Sequence, residues 1–213
     1  MHLLAITPIH VDDEELTRRR QRYDRLAPAG VTVHLEDLGK ESEVPRALET
    51  ADDITASESA LVKRFRRADA EGFDGFLPDC VLDPVVDHEA SLTRPVFGIA
   101  RLTAHFLGGF GLAVGAVARN EAIAHELDRK LKSYGLWAAR QTDVLDLSVE
   151  DIADEATWSA AVERTARSLP CDTVINACSA VDIVSRDVGP ALVDPTWVAL
   201  QMIGLRAATG PRR

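Results

Sequence analysis

Short apolar runs alternate with longer amphipathic stretches along the whole chain. Leu3-Leu4-Ala5-Ile6 is followed by the charged segment Asp12 to Leu26, and Gly30-Val31-Thr32-Val33 by a second helical pattern that ends before Phe73. This alternation predicts βαβ units and a parallel sheet covered by helices. In the first half the apolar runs place strands near 2–7, 31–36, 74–79 and 95–98; in the second they fall near 111–116, 136–141, 172–177 and 190–193. Helix starts are expected at Asp83-Pro84 and Asp194-Pro195, where an acid precedes a proline whose missing N–H costs nothing in a first turn.

The two halves resemble each other. Asp172 to Cys178, DTVINAC, has the shape of Asp74 to Cys80, DGFLPDC, at an offset of 98 residues. Downstream, Arg94 to Ala100 lines up with Gly189 to Pro195; upstream, Leu3 to Thr7 resembles Leu112 to Ala116. An internal repeat of this kind predicts an α/β fold of two pseudo-symmetric parallel-sheet lobes. The expected division gives residues 1–94 with 190–213 to the first lobe and 95–189 to the second. No Pro/Ser-rich linker separates them, so a close-packed pair with an interdomain cleft is expected.

Composition narrows the partners. With 46% hydrophobic residues the chain can bury a sizeable core, and a net charge of −10 opposes nucleic-acid binding. The basic run Arg18-Arg19-Arg20-Gln21-Arg22 follows Asp12-Asp13-Glu14-Glu15, an order that suits the helix dipole, and reads as a solvated helix face. No apolar stretch reaches membrane-spanning length and the first residues lack a secretion-signal pattern, so no membrane partner and a cytoplasmic location are expected. Three cysteines, at 80, 171 and 178, do not make a disulfide framework.

The repeat gives two of those cysteines a meaning. Ligands of open parallel sheets bind beyond the carboxyl ends of the strands. Cys80 and Cys178 are expected there, with Thr7 and Gly115, whereas Cys171 belongs near the opposite end of its strand and reads as core. Two equivalent strand tips facing one cleft would flank a ligand with two thiols. Inverting a stereocentre beside a carbonyl needs one group to take the carbon-bound proton and another to return one on the opposite face. A thiolate and a thiol do this without a cofactor, given backbone N–H groups to lower a thiol's pKa. Helix starts at Asp83 and at Ser179, with Asp182 in a box-like spacing, would supply them. The six histidines show no metal-ligand spacing, so no metal is expected, and His10 reads as a loop residue. Gly108-Gly109-Phe110-Gly111 precedes a strand and fits a helix end and turn.

These residues resemble the aspartate/glutamate racemase superfamily, and within it the hydantoin racemase branch. Asp79-Cys80-Val81-Leu82-Asp83-Pro84 is similar to that branch's Cys-x-x-Asp-Pro segment, and Arg94 to Ile99 to the Pro-Val-x-Gly-Ile that follows. Ala177-Cys178-Ser179 matches the second cysteine, Leu192-Val193-Asp194-Pro195 the closing strand and helix start, and Leu48-Glu49-Thr50 an Ile-Glu-Ser segment bordering the site. Ile6-Thr7-Pro8-Ile9-His10 stands where the branch usually has Asn-Pro-Asn.

The resemblance implies cofactor-independent chemistry on a small-molecule carboxylate or amide, with Cys80 and Cys178 as the acid/base pair. Thr7, Glu49, Thr50, Val81, Ser179 and Ala180 are the expected substrate contacts, and a homo-oligomer is expected. A racemase or epimerase of an amino acid or derivative is the leading expectation. Its alternatives are a maleate-type isomerase or decarboxylase working through one cysteine, and a non-catalytic small-molecule binding module.

Overall fold

Strand β1 (His2–Ile6) is the middle of the first sheet, parallel to β2 (Thr32–Glu36) on one side and β3 (Gly75–Pro78) on the other. The computed structural model describes residues 1–39, 44–135, 142–148, 150–152, 154–183 and 190–210. The second sheet runs β5-β4-β6-β7, all parallel, from β4 (Val114–Ala118), β5 (Asp143–Val144), β6 (Thr173–Asn176) and β7 (Ala191–Val193). The order β2-β1-β3 repeats as β5-β4-β6. A single bridge from Phe76 to Val96 takes the place that β7 fills in the second sheet. The two-lobed parallel α/β architecture expected from the repeat is therefore the observed one.

Several details differ from expectation. The strand anticipated at 111–116 lies at Val114–Ala118, because Gly111 adopts a positive φ of 71° and ends the turn after helix α3 (Ile99–Gly109). Gly115 is consequently near the amino end of β4, not the carboxyl end. A Cβ there would come within 2.8 Å of the Cys171 sulfur, which fixes Cys171 at that same end of the sheet. The run at 136–141 lies outside the described residues. Val96 bridges to the first sheet and β7 pairs with β6, the sheets to which the repeat assigns the runs at 95–98 and 190–193.

Alternation along the central strands builds the core. Leu3 and Ala5 of β1 share one apolar cluster with Ala116 and Ala118 of β4, so the inner faces of both sheets join one interior. Helices α1 (Asp13–Leu26), α3, α4 (Glu121–Ser133) and α6 (Pro195–Thr209) contribute to it. The outer face of the first sheet, Leu4, Ile6 and Phe76, is covered by Leu61 and Phe65 of α2 (Ala51–Ala68). That of the second, Val117 and Val174, is covered by Trp158 and Val162 of α5 (Glu155–Ala166).

Among the described residues, five of the six α-helices begin on a side-chain cap: Asp12, Thr50 with Asp53 in a capping box, Asn120, Asp154, and Asp194 before Pro195. The exception is α3, whose cap position is Gly98. Asp83 supplies the missing acceptor from a distance, its carboxylate taking the Ala100 and Arg101 N–H groups at 2.9 and 2.7 Å. A side chain at position 98 would collide with that carboxylate, since a Cβ there would lie 2.6 Å from Asp83 Oδ2. No helix starts at Asp83-Pro84. The chain instead turns through Asp83 (φ 50°) and Val85 (φ 76°) into a short 3-10 turn, Val86–Ser91. A β-branched residue in this region is strained, and Glu58 anchors it by accepting the Val85 N–H at 3.0 Å.

Candidate active site

Strands β3 and β6 end two residues before Cys80 and Cys178, and one hydrogen bond joins the two tips. The Ser179 hydroxyl, next to Cys178, donates at 3.0 Å to the carbonyl of Asp79, next to Cys80. The two cysteine-bearing turns are thus in direct contact across the lobes, and the Cys178 sulfur bears on Cys80. They also share a local design. The N–H two residues on, that of Leu82 for Cys80 and of Ala180 for Cys178, points at the sulfur and favours its ionised form.

These are turn N–H groups rather than helix starts. Residues 179–180 form a turn and no helix begins before Ile183, so the box-like role expected of Asp182 is replaced by ion pairs with Arg22 and Arg25. Nor are the thiols lowered overall. Burial pushes Cys80 up to about 12, and the Leu82 N–H offsets this only in part while Asp79, Asp83 and Cys178 add to it. Burial also raises Cys178, but there the Ala180 N–H, Arg19 and Arg22 all act against the rise and only Asp79 reinforces it.

The basic run of α1 makes this difference, and it is not a solvated face. Leu16, Arg19, Arg22 and Tyr23 are the buried residues of α1. Arg19 Nη1 lies 3.2 Å from Asp79 Oδ2, and the Tyr23 hydroxyl donates to Asp79 Oδ1 at 2.8 Å. Arg19 Nε also pairs with Glu15 at 2.6 Å. Arg18 donates to the Ala180 carbonyl at 2.9 Å, and Arg22 to the Val181 carbonyl at 3.1 Å and to Asp194 at 2.5 Å. One helix of the first lobe therefore clamps the turn that carries Cys178. Long side chains buried along their stems lose little by keeping their heads paired. The sequence signal was present in the spacing: Arg19 and Arg22 stand on the stripe marked by Leu16, Tyr23 and Leu26, where a solvated face would have no apolar residue.

The remaining expected contacts are placed as follows. Thr7 is buried at the end of β1 and its hydroxyl donates to the Ile9 carbonyl at 2.7 Å. His10 pairs with Asp37 at 2.5 Å, across the ends of β1 and β2. Glu49 is held by Arg119 at 2.8 Å and by the Asn120 amide at 2.9 Å, and both residues also donate to the Leu48 carbonyl. This second interlobe clasp engages the Glu49 carboxylate, while the Thr50 hydroxyl caps α2. Ala180 offers its N–H to Cys178, and Val81 lies fully buried between Cys80 and Leu82. Among the described residues no cluster of three or more His, Cys, Asp or Glu side chains is arranged to hold a metal, and no helix is long and apolar enough to cross a membrane.

Behind the Cys80 turn, Asp83 also accepts the Tyr134 hydroxyl at 2.9 Å, and its carbonyl takes the buried Lys130 ammonium at 3.2 Å. Burial raises its pKa from 3.8 to about 6, against the N–H groups, the hydroxyl and Lys130. In the unfolded chain it ionises near 3.8, so the stability tied to its protonated form is complete below that value and is lost as pH rises through about 6. A difference of this size is worth on the order of 3 kcal/mol. Urea unfolding at pH 4 and pH 7 is expected to show wild type losing about that much more than Asp83→Asn; parallel losses would exclude this assignment.

A family model described as Asp/Glu/Hydantoin racemase matches residues 21–203. Among solved structures, allantoin racemase from Klebsiella pneumoniae superposes with a TM-score of 0.80 at 19% identity, over 99% of this chain and 89% of that one. Allantoin racemase from Pseudomonas fluorescens gives 0.83 at 15%, over 99% and 92%. A glycine-to-cysteine variant of arylmalonate decarboxylase gives 0.65 at 16%, over 100% and 95%. At such identities these likenesses speak to the fold, and no curated protein matches by sequence.

Proposed function

The chain belongs to the Asp/Glu/Hydantoin racemase family, and we propose on that premise that it is a cofactor-independent racemase or epimerase in which Cys80 and Cys178 exchange a carbon-bound proton. The observation that carries this reading is the Ser179-to-Asp79 hydrogen bond, which holds the two cysteine turns against each other. The substrate is a small carboxylate or amide with an acidic hydrogen beside a carbonyl, an amino acid derivative or a hydantoin-like ureide. Backbone N–H groups of Val81 and Ser179 would receive the charge that develops on the carbonyl oxygen, with the Thr7 hydroxyl accepting a donor from the substrate. Glu49 and Thr50 act at one remove, shaping the wall of the site through their contacts with Arg119 and α2.

One thiolate removes the proton from one face while the opposite thiol delivers its own to the other. The charge on the enzyme moves from one sulfur to its partner, and no co-reactant is consumed. A decarboxylase needs only a single proton donor beside the departing carboxylate, so keeping both thiols favours inversion over that chemistry. Incubation in deuterium oxide with 5-substituted hydantoins, allantoin and free amino acids tests the reading. One of these is expected to lose optical activity while gaining one deuterium at the stereocentre. Absence of exchange across the panel, or carbon dioxide release in its place, would reject it.

A further inference from the structure

A second concave surface lies away from the cysteines. A cavity of about 510 Å³ opens between the segment 92–97 and helices α3 and α6. Its floor is apolar: Val96, Phe97 and Ile203 are buried there, and the half-buried Leu102 and Met202 also line it. The Phe97 ring presses on the amino end of β3, since a Cβ on Gly75 would lie 2.5 Å from Phe97 Cε2. Cys80 is five residues further along the chain, roughly 16 Å at the rise of a strand, so the cavity stands at the far end of that strand from the thiol. Its rim is cationic in a protein of net charge −10. Arg94, Arg101 and Arg206 line it with one acid, Glu89. Glu89 and the Val96 carbonyl take up Arg101, at 3.0 and 2.6 Å. Arg206 lies over the Phe97 ring, 5.3 Å from its centroid, and among the described residues neither its guanidinium nor that of Arg94 has an ion-pair or hydrogen-bond partner.

We propose that this cavity is a second ligand site, for a small amphipathic carboxylate whose aryl or branched acyl body rests on Val96, Phe97 and Ile203 and whose head pairs with Arg94 and Arg206. The volume falls in the range of small-molecule sites, about 300–1,000 Å³, and such sites combine an apolar lining with a few polar groups that fix orientation. Arginine suits the head, because its planar fork meets a carboxylate in two parallel hydrogen bonds. The contact with Phe97 restrains the Arg206 guanidinium and leaves its N–H edges free to donate. A neutral apolar ligand would leave both guanidiniums without partners, and a bare anion would leave the floor wet. An amphipathic carboxylate satisfies both parts of the cavity at once. Nothing in this placement uses the cysteines, so the site stands or falls apart from the proton-exchange reading.

The test uses 1-anilinonaphthalene-8-sulfonate, a fluorescent amphipathic anion, beside N-phenyl-1-naphthylamine, the same rings without the charge. In the folded wild-type chain the anion is expected to bind at a saturable site that Met202→Trp removes by filling the cavity. 4-Phenylbutanoate displaces it and 4-phenylbutan-1-ol does not. Arg94→Gln and Arg206→Gln each weaken binding of the anion by about fivefold, the upper end for an exposed ion pair, and the double variant by more than about tenfold. Binding of the neutral probe stays within roughly twofold in these variants, whose side chains lie at the surface and whose circular dichroism should be that of wild type. Binding that survives Met202→Trp, displacement by the alcohol as readily as by the acid, or a double arginine variant that holds the anion like wild type would each overturn the proposal. So would anion binding that falls as protein concentration rises while sedimentation shows self-association, a result that gives this face to a second copy of the chain.

Discussion

Cys80→Ala and Cys178→Ala are each expected to reduce inversion by roughly 10²–10⁴-fold, the usual worth of a positioned acid or base, and the double variant to abolish it. The two single variants differ in what they retain. With one thiol left, the site can still remove and return a proton on the same face, so each variant should exchange the hydrogen of one enantiomer into deuterium oxide with retention. The two variants should choose opposite enantiomers. Cys171→Ala is the control: its sulfur sits by Gly115, at the amino end of β4, and turnover should stay within about twofold, as for a substitution far from the chemistry. Normal inversion by the double alanine variant would end the two-cysteine mechanism. Exchange by both single variants on the same enantiomer would place the thiols on one side of the substrate and do the same.

What was legible in the sequence was what local pattern encodes. The strand tips at Cys80 and Cys178 and the Asp194-Pro195 cap are each written within a few consecutive residues, and their backbone follows from those residues; the lobe repeat emerges by comparing such short runs between the two halves. The contacts that make the site unequal are not local. Asp83 has the look of a helix cap beside Pro84, yet it caps α3 instead, because Gly98 leaves the Ala100 and Arg101 N–H groups without a nearby acceptor. Likewise Arg18, Arg19 and Arg22 satisfy the rule for charges on an exposed helix until residues 79, 180, 181 and 194 are folded against them. Charge alone says little about exposure when a partner lies more than 150 residues away, as Val181 does from Arg22. A stripe that mixes Leu16 and Tyr23 with arginines is the part of that arrangement a sequence can carry.

Trp158→Ala is expected to be the most destabilising single change, by about 3–5 kcal/mol, the range for emptying a fully buried tryptophan site. Its side chain is completely enclosed between α5 and the outer face of the second sheet, beside Val117, Val162, Val174 and Val181. For a chain of this length the loss corresponds to a fall in melting temperature on the order of 10 °C. The consequence reaches the site through hydrogen bonds. The indole N–H donates at 3.2 Å to Asn176 Oδ1, and the Asn176 amide donates at 3.1 Å to the Cys178 carbonyl, so the tryptophan orients the residue that orients the cysteine turn. Trp158→Phe separates these effects. It keeps most of the buried ring but removes the N–H, leaving Asn176 Oδ1 short of a donor at a cost of about 1–3 kcal/mol. Thermal melts paired with turnover should therefore show the phenylalanine variant losing less stability than alanine while still losing activity at temperatures where it is fully folded. An alanine variant that melts with wild type would show that Trp158 does not anchor the second lobe, and a phenylalanine variant with full activity would remove it from the chain of contacts that ends at Cys178.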